Sequence, residues 1–358
     1  MTARVLDDGE SSEAFPVTNG VKQGCVLAPT LFSMIFSAML SDASSDPTHW
    51  VDLKYRFDGK LFNLRRLQAS TKVKETSISS LLFADDCALN SNNEEGMQLQ
   101  MDKFSTACDK FGLTISTKKT EVMYQPAPGK QYHVPQITVS GQILQAADTF
   151  QYLGSTLSRN ATIDAEIDNR IAKASSVFGR LAKNVWNRRG LRTKTKLKVY
   201  QAAVLTTLLY GCETWTAYRR HEQQLNRFHL KCLRNLLRIR WQDKIPDTEV
   251  LLQAEIPSVV TLLHKAQLRW TGHVMRMHDN RIPKQLLYGE LSSGKRKVGG
   301  QKKRFKDNVK VSLKNFKINT ETWESLAAER SSWRSALASG ALTAEQQSQQ
   351  QAEQKRQL

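Results

Sequence analysis

Apolar residues recur at helical spacing over most of this chain and alternate with polar residues only in short stretches. One helix is predicted to open at Pro29, and a second to run from Glu94 to a stop at Gly112. Beyond residue 160 the same spacing predicts four helices, in residues 167–185, 197–209, 225–239 and 259–270. The pattern therefore predicts an α+β fold, with antiparallel strands plus helices first and an all-α region after them.

A short apolar stretch, LLFADDCAL, contains two adjacent aspartates, Asp85 and Asp86. The alternation around them predicts a β-hairpin with both aspartates at or near its turn. Because a buried carboxylate without a partner is costly, a divalent metal ion with oxygen ligands is the natural compensation. Asp7 and Asp8 lie instead in a polar run before Gly9, where a solvated turn explains them. A tight turn with solvated carboxylates is the alternative for Asp85 and Asp86 as well.

The formal net charge is +18, and the basic residues concentrate in three segments of the C-terminal half. Residues 170–200 contain ten Lys and Arg and no acid, residues 219–240 seven against one acid, and residues 282–317 eleven against two. The aromatic residues interleaved with them are Trp186, Tyr200, Phe228, Trp241 and Phe305. This combination favours a nucleic acid over acidic protein or lipid headgroups as the partner. Solvated helix faces that only aid solubility are the alternative.

The remaining composition bears on the compartment and on the ends of the chain. Five scattered cysteines without a CxxC pair suit free thiols in a reducing compartment. No apolar run approaches the ~18 residues of a membrane span, and no secretory signal is recognised at the start. The basic segment GKRKVGGQKKRF, residues 294–305, is predicted to be a flexible loop for nuclear entry or phosphate binding. The Gln-, Ala- and Ser-rich tail from about Ala338 is expected to pack against nothing, as frayed helix or disorder.

Four sequence blocks follow one another along the first half of the chain. They are GVKQGCVLAP at residues 20–29, FADD at 83–86, GLTISTKKTE at 112–121 and FQYLG at 150–154. The series resembles the reverse transcriptase of non-long-terminal-repeat retrotransposons. The resemblance covers residues 5–157 and continues to about Trp333, including LRWTGHVMRM at residues 268–277.

The resemblance implies an incomplete polymerase palm followed by an all-α thumb and C-terminal region. Its implied domains are a partial reverse transcriptase palm at 1–160, a helical thumb-like or connection region at 161–281, a basic C-terminal region at 282–335 and a low-complexity tail at 336–358. The implied reaction adds deoxynucleotides from deoxynucleoside triphosphates to a DNA primer on an RNA template, with two Mg²⁺ ions. The implied location is the nucleus or a cytoplasmic ribonucleoprotein.

The resemblance also implies roles for individual residues. Asp85 and Asp86 are the implied catalytic metal ligands, and Asp85 has the stronger match. Lys119 is the implied proton donor to pyrophosphate, a role that Lys118 could equally fill. The implied nucleotide and template contacts are Gln23, Gly24, Phe83 and Ala84, and the implied primer grip is Tyr152, Leu153 and Gly154. Phosphate contacts are predicted for Arg180, Lys183, Arg188, Arg189, Lys194, Lys196 and Lys198.

The chain departs from the family pattern at one metal ligand. The family places a further aspartate on an apolar strand well before the Gln-Gly block, and the acids before Gln23 lie in a polar turn. The expectation is therefore a two-metal site with one ligand strand missing and a chain that does not polymerise alone. Two alternatives remain: a non-catalytic nucleic-acid-binding remnant, or a decaying fragment that folds poorly because its sheet edges stay open.

Two further groups are predicted to be structural. Cys212, His221, His229 and Cys232 lack the spacing of a zinc site, and Cys232 falls on an apolar helix stripe. His273 lies among aromatic and apolar neighbours, so core packing is expected for it rather than catalysis.

Overall fold

The computed structural model describes residues 2–4, 6–7, 10–17, 26–43, 49–294 and 302–357. Helices and small sheets both contribute to it, which confirms the predicted α+β class. The chain forms two compact units. The first comprises Met1–Val51, Ser77–Tyr124 and His133–Ala147, and the second Asp52–Thr76, Gln125–Tyr132 and Asp148–Leu358. The four functional divisions expected from the sequence stay a prediction.

The strands are short and pair locally. They are β1 (Thr2–Ala3), β2 (Leu6–Asp7), β3 (Glu10–Ser11), β4 (Phe15–Pro16), β5 (Val51–Tyr55), β6 (Lys74–Ile78), β7 (Ser80–Phe83), β8 (Asp86–Leu89), β9 (Glu121–Val122), β10 (Thr138–Val139), β11 (Gln142–Ile143), β12 (Gln145–Ala146), β13 (Thr149–Tyr152), β14 (Ser155–Ser158) and β15 (Gly289–Leu291). One sheet has the order β15-β5-β6. The two-stranded sheets β1-β4, β2-β3, β7-β8, β10-β11 and β13-β14 are antiparallel, and β9-β12 is parallel.

Helices dominate the second unit. The α-helices are α1 (Ala28–Asp42), α2 (Glu94–Lys110), α3 (Asp164–Arg180), α4 (Thr193–Val199), α5 (Thr206–Leu208), α6 (Arg219–Leu237), α7 (Asp247–Ala254), α8 (Val259–Met275), α9 (Ile282–Tyr288), α10 (Phe305–Asn315), α11 (Trp323–Ala328) and α12 (Arg330–Gln357). Two π-helical stretches, Ala182–Trp186 and Tyr200–Leu205, follow α3 and α4, and short 3₁₀ turns occupy Leu64–Gln68, Cys212–Thr214 and Trp241–Asp243. None of the helices that the structure describes is long and apolar enough to cross a membrane.

In the first unit, α1 packs on α2 through its C-terminal part. Proline in the first turn suits a helix start, because its φ is already helical and its missing N–H has no helical partner there. Met39 is fully buried, and its Sδ lies 3.6 Å from Cys108 Sγ on α2. Leu31 and Ile35, on the face predicted to be apolar, are instead exposed. The helix was thus predicted correctly, but only part of its apolar face is covered by described residues.

Polar side chains of α2 hold the loop and strand that follow it in space. The Asn93 side chain caps the helix by accepting a hydrogen bond from the Gly96 N–H at 2.8 Å. Glu94 accepts one from the Gln136 N–H at 2.6 Å. Gln98 pairs with the backbone of Thr138 in both directions, at 2.8 and 3.0 Å. These bonds fix residues 133–139 beside α2, where Ile137 and Val139 are buried against Met101.

The second unit has two apolar clusters. One gathers the predicted stripes of α3, α4, α6 and α7 around Tyr200, Leu208, Leu225 and Leu233, which are fully buried. The other lies where α8, α10, α11 and α12 meet, around Leu268, Leu313, Trp323 and Trp333. The helical spacing seen in the sequence therefore marks residues that do form the core.

The C-terminal tail corrects one expectation from the sequence. Residues 330–357 form the long helix α12, and Leu337 and Ala341 on it are buried. Glu345 accepts hydrogen bonds from the hydroxyls of Ser258 and Thr261 at 2.9 and 2.6 Å. The expectation that the tail packs against nothing is wrong, because one helix face carries enough small and apolar residues to seat on α8.

Gly272→Ala is expected to destabilise the second unit. An added Cβ would stand 2.7 Å from Cδ1 of the buried Trp333 ring, so the indole or the helix must shift, at about 1–3 kcal/mol. Gly179→Ala on α3 is the matched control, because its Cβ meets nothing within 4 Å. The control should gain up to ~1 kcal/mol from helix propensity. Urea unfolding of both variants checks this, and a stabilised Gly272→Ala would contradict the packing described.

Candidate active site

The two adjacent aspartates lie on a tight β-hairpin, as predicted. Strands β7 and β8 pair with Phe83 opposite Asp86, which leaves Ala84 and Asp85 as a two-residue turn. Ala84 has a φ of +51°, a left-handed conformation that is costly for a residue with a Cβ. A tight two-residue hairpin turn of this kind requires a positive φ, so the turn itself explains the conformation of Ala84.

The hairpin is exposed, which corrects the burial argument made from its sequence. Leu81, Leu82 and Phe83 are 41 %, 40 % and 62 % exposed, and both carboxylates are exposed as well. No further strand among the described residues pairs with β7 or β8. The apolar residues around Asp85 and Asp86 therefore do not show that the carboxylates are desolvated. Alternation of apolar and polar residues cannot show which face of a hairpin is covered by other parts of the chain.

The donor chemistry fits two ligands of a divalent cation. No Lys, Arg or His of the described residues lies in ion-pair contact with Asp85 or Asp86, and carboxylate oxygens are what Mg²⁺ prefers. The described residues contain no group of three or more His, Cys, Asp and Glu that could hold a metal ion. Behind the turn, the pKa of the Cys87 thiol is raised to about 11, mainly by burial and then by Cys108 and the carboxylates of Asp86 and Asp85. Cys87 therefore stays a neutral thiol and supplies no charge there.

The other residues predicted near the nucleotide are only partly located. Gln23 and Gly24 lie outside the described residues. Phe83 and Ala84 belong to the hairpin itself. Lys118 and Lys119 are both exposed in the turn before β9, where the Lys119 N–H donates to Ser116 O at 3.0 Å. Neither lysine ion-pairs with a described carboxylate, so both ammonium groups are available, and their geometry does not distinguish them.

Tyr152 ends strand β13, and Leu153 and Gly154 form the turn of the second hairpin, β13-β14, in the other unit. Leu153 and Gly154 both have positive φ, +48° and +80°, as a tight two-residue hairpin turn requires. The turn is held from behind by α3 and by Tyr210. The Tyr210 hydroxyl donates to Leu153 O at 2.9 Å, and the Arg170 guanidinium donates to Gly154 O and lies 4.5 Å from the centre of the Tyr210 ring.

A buried ion pair completes this support. Glu166 and Arg170 are almost fully buried on successive turns of α3, with Glu166 Oε1 and Arg170 Nε 2.7 Å apart. The second carboxylate oxygen of Glu166 accepts the Thr156 N–H at 2.7 Å. Arg170 thus contacts the backbone of the turn at Gly154, and Glu166 contacts the backbone of the following strand at Thr156. Sequence reasoning missed it, although acid and base four residues apart at the start of a helix is a readable signal.

The predicted phosphate contacts divide into two groups. Six of the seven residues are exposed: Arg180, Lys183, Arg188, Arg189, Lys194 and Lys198. Lys196 is buried, and its ammonium donates to Trp186 O at 2.6 Å, so it serves the end of the π-helical stretch instead. We therefore leave Lys196 out of the proposed phosphate contacts and retain the other six.

The histidines also divide. His229 is buried and its Nδ1 lies 2.8 Å from the Tyr200 hydroxyl, which is a structural role. His221 is buried and hydrogen-bonds Asp164, and this bond is the main cause that lowers the pKa of Asp164 to about 2. His273 corrects the expectation of core packing. It is exposed beside Trp270, with ring centres 5.5 Å apart.

Comparison with known proteins gives consistent relatives. Residues 2–157 match the model of the reverse transcriptase (RNA-dependent DNA polymerase) family. A transposon-derived protein of Caenorhabditis elegans is 24 % identical over 272 residues, which are 73 % of this chain and 96 % of that protein. The RNA-directed DNA polymerase from mobile element jockey of Drosophila melanogaster is 24 % identical over 293 residues, 80 % of this chain and 29 % of that protein. Its Drosophila funebris counterpart is also 24 % identical, with 28 % of its length covered. The chain thus spans nearly all of the nematode protein and less than a third of the jockey polymerases.

Proposed function

We propose that the chain serves RNA-directed DNA synthesis by a retrotransposon. The proposal rests on residues 2–157, which match the reverse transcriptase family. The partners of the chain in that role are an RNA template, a DNA primer and deoxynucleoside triphosphates. The observation that carries the proposal is the β7-β8 turn, which exposes Asp85 and Asp86 side by side within the family match.

Asp85 and Asp86 are the proposed Mg²⁺ ligands. When bound, Mg²⁺ stabilises the charge that develops on the transferring phosphoryl group. The pairing of Phe83 with Asp86 and the left-handed Ala84 set the direction of the two carboxylates before substrate arrives. Such preorganisation matters because ligands held in place need no rearrangement at the moment of reaction.

The remaining proposed roles belong to positive charges and to a turn. Lys119 gives a proton from its Nζ to the departing pyrophosphate, and Lys118 is the alternative donor. Tyr152, Leu153 and Gly154 hold the primer strand. The contacts of Arg170 with Gly154 O and with the Tyr210 ring support this role, because they fix the turn. The six retained basic residues, Arg180, Lys183, Arg188, Arg189, Lys194 and Lys198, contact phosphates of the template and primer.

Any primer extension that the chain performs on an RNA template is expected to be abolished by Asp85→Asn, and extension by the purified chain would contradict the expectation that it does not polymerise alone. Loss of a metal ligand removes several kcal/mol of transition-state stabilisation, which corresponds to at least about a hundredfold in rate. Asp109→Asn, at an exposed aspartate of α2, is the matched control and should extend the primer like the unmodified chain. Equal extension by Asp85→Asn and Asp109→Asn would overturn the assignment of Asp85.

A second candidate function is nucleic-acid binding without catalysis. The observation that favours it is that the described residues supply two carboxylates to the proposed metal site and no third ligand. Under this alternative, the unmodified chain binds a primer annealed to RNA but does not extend it. Asp85→Asn would then leave the affinity for that duplex unchanged. Gel-shift titration beside the extension assay separates the two functions.

A further inference from the structure

The helices α8 and α12 form a cavity of about 850 Å³ on the second unit. They run antiparallel, because Ser258 and Thr261 meet Glu345 at one end while Leu268 O accepts a hydrogen bond from Trp333 Nε1 at the other. Gly272 lets the buried Trp333 ring lie directly on α8, so that this ring and Leu337 line the cavity. Cavities of this volume are typical of ligand sites rather than of packing defects.

The cavity is lined by five permanent positive charges. Lys265, Arg269 and Arg276 come from α8 and its C-terminus, and Arg330 and Arg334 come from α12. The α8 residues lie at spacings of four and seven, so they share one helix face and extend over ~16 Å at 1.5 Å per residue. Glu213 is the one acid in the lining. The net charge of the lining is thus strongly positive.

Most of these charges have no internal counterion. Lys265, Arg269, Arg330 and Arg334 are exposed, and no carboxylate of the described residues lies in ion-pair contact with them. Arg276 is held in place by donating to Ala327 O at 2.5 Å, a neutral carbonyl that leaves its charge uncompensated. Several like charges collected around one cavity repel one another, so the arrangement favours an anionic ligand.

An aromatic pair distinguishes the class of anion. The rings of Trp270 and His273 lie 5.5 Å apart at 48° in the lining of the cavity. Positive grooves that combine backbone phosphate contacts with aromatic stacking are typical of sites for single-stranded nucleic acids. An acidic peptide would use the charges but not the rings.

We propose that the α8-α12 cavity binds a short stretch of single-stranded nucleic acid, for which RNA is the probe. The guanidinium groups of Arg269, Arg330 and Arg334 contact its phosphates, and one base stacks on Trp270 or His273. The site uses no residue of the proposed active site or of the basic segment 180–198. It therefore goes beyond the proposed function, and the chain can have this site whether or not it polymerises.

The test is fluorescence-anisotropy titration of a labelled oligouridylate of about eight nucleotides, a length within single-strand site sizes, at several salt concentrations. Arg269→Gln/Arg334→Gln should weaken binding at least tenfold at low salt. It should also flatten the salt dependence by about 1.4, because each lost phosphate contact in a single strand contributes ~0.7 to the slope. Arg65→Gln/Arg281→Gln removes the same charge at exposed sites of the same unit and should leave the slope unchanged.

A second measurement locates the RNA. Photocrosslinking with 5-iodouridine in the same oligonucleotide should attach it to the peptide that carries Trp270 and His273. The proposal would be overturned if Arg65→Gln/Arg281→Gln lost as much affinity as Arg269→Gln/Arg334→Gln. It would also be overturned if the RNA crosslinked only to peptides that lack Trp270 and His273. Equal competition by an oligoglutamate of the same charge would assign the cavity to acidic peptides instead. If Arg269→Gln/Arg334→Gln loses as much affinity for duplex RNA as for the oligouridylate, the preference for a single strand is refuted. The Asp85→Asn extension result is independent of all these outcomes.

Discussion

Acidification from pH 7 to pH 5 is expected to remove about 4 kcal/mol from the free energy of unfolding of the second unit. Two buried histidines, His229 and His264, carry the effect. Burial lowers the pKa of each to about 4, and for His264 the nearby Lys303 charge lowers it further in the same direction. Both histidines are therefore neutral in the folded chain at pH 7, whereas in the unfolded chain their pKa is about 6.5.

The hydrogen bonds of His264 explain why the neutral form is the stable one. The Asn315 side-chain amide donates to Nε2 at 3.2 Å, which makes Nε2 an acceptor and leaves the proton on Nδ1. Nδ1 then donates to Ser312 Oγ at 2.6 Å, and Ser312 donates to the Gln267 side-chain oxygen at 3.0 Å. A proton added at Nε2 would oppose the Asn315 donor inside the core.

The direction of the pH dependence follows from these pKa values. Between pH 6.5 and pH 4 the unfolded chain binds more protons than the folded chain, so stability is fully present above pH 6.5 and declines as the pH falls. Each histidine contributes a slope of about 1.4 kcal/mol per pH unit, or about 2 kcal/mol by pH 5. Asp164, whose folded pKa is about 2, loses its contribution mainly below pH 4 and so lies outside the window measured.

Urea unfolding at pH 7, 6 and 5 measures this loss, and one substitution isolates its source. His264→Gln removes a titrating group but keeps side-chain donors and acceptors, so it should reduce the pH slope by about half. His278→Gln, at an exposed histidine, is the control and should leave the slope as it is. A pH slope that is the same in His264→Gln as in the unmodified chain would contradict the assignment.

The sequence predicted elements well where a local signal determines them. The β7-β8 hairpin follows from alternation around its turn, and α2 follows from its predicted start at Glu94 and its stop at Gly112, where φ is +67°. The same signals do not show what covers an element. The exposed apolar side chains of the hairpin and of α1 depend on which neighbours are present, and neighbours are not a local property.

Charge patterns show the same limit at the candidate sites. In the basic run 170–200, nothing in the sequence distinguishes the buried Lys196 from the exposed Lys194 and Lys198. The difference arises because the end of a π-helical stretch presents the Trp186 carbonyl to it. The α8-α12 cavity joins Arg269 to Arg334, which only tertiary packing brings together. Within α8, however, the spacing of Lys265, Arg269 and His273 could have indicated a charged face opposite the apolar one.

Glu166→Gln is expected to destabilise the second unit by about 3–5 kcal/mol, the largest effect expected for a single substitution here. Glu166 and Arg170 are each less than 5 % exposed. Neutralising the carboxylate leaves the Arg170 guanidinium buried without its counterion, and water cannot reach it to compensate. The glutamine also weakens the bond to the Thr156 N–H, because an amide oxygen is a poorer acceptor than a carboxylate.

The effect should concentrate at the turn of Leu153 and Gly154. Amide exchange at Thr156 is expected to accelerate, since its N–H loses a charged acceptor, while exchange in the core of α6 follows only the global loss of stability. Raising the salt concentration should not reproduce the change, because a buried pair is screened far less than a surface pair. If the turn holds the primer as proposed, Glu166→Gln lowers the affinity for the primer together with the protection of the Thr156 amide from exchange.

Removing both charges separates the ion pair from simple packing. Glu166→Gln/Arg170→Met leaves no buried unpaired charge and should recover part of the stability lost by Glu166→Gln alone, although the Gly154 carbonyl then loses its donor. Lys60→Gln/Glu321→Gln, at an exposed ion pair of the same unit, is the matched control and should change stability by less than about 1 kcal/mol. A double variant at 166 and 170 that is less stable than Glu166→Gln would mean that the guanidinium stabilises the turn by itself. The buried pair would then not be the element that fixes it.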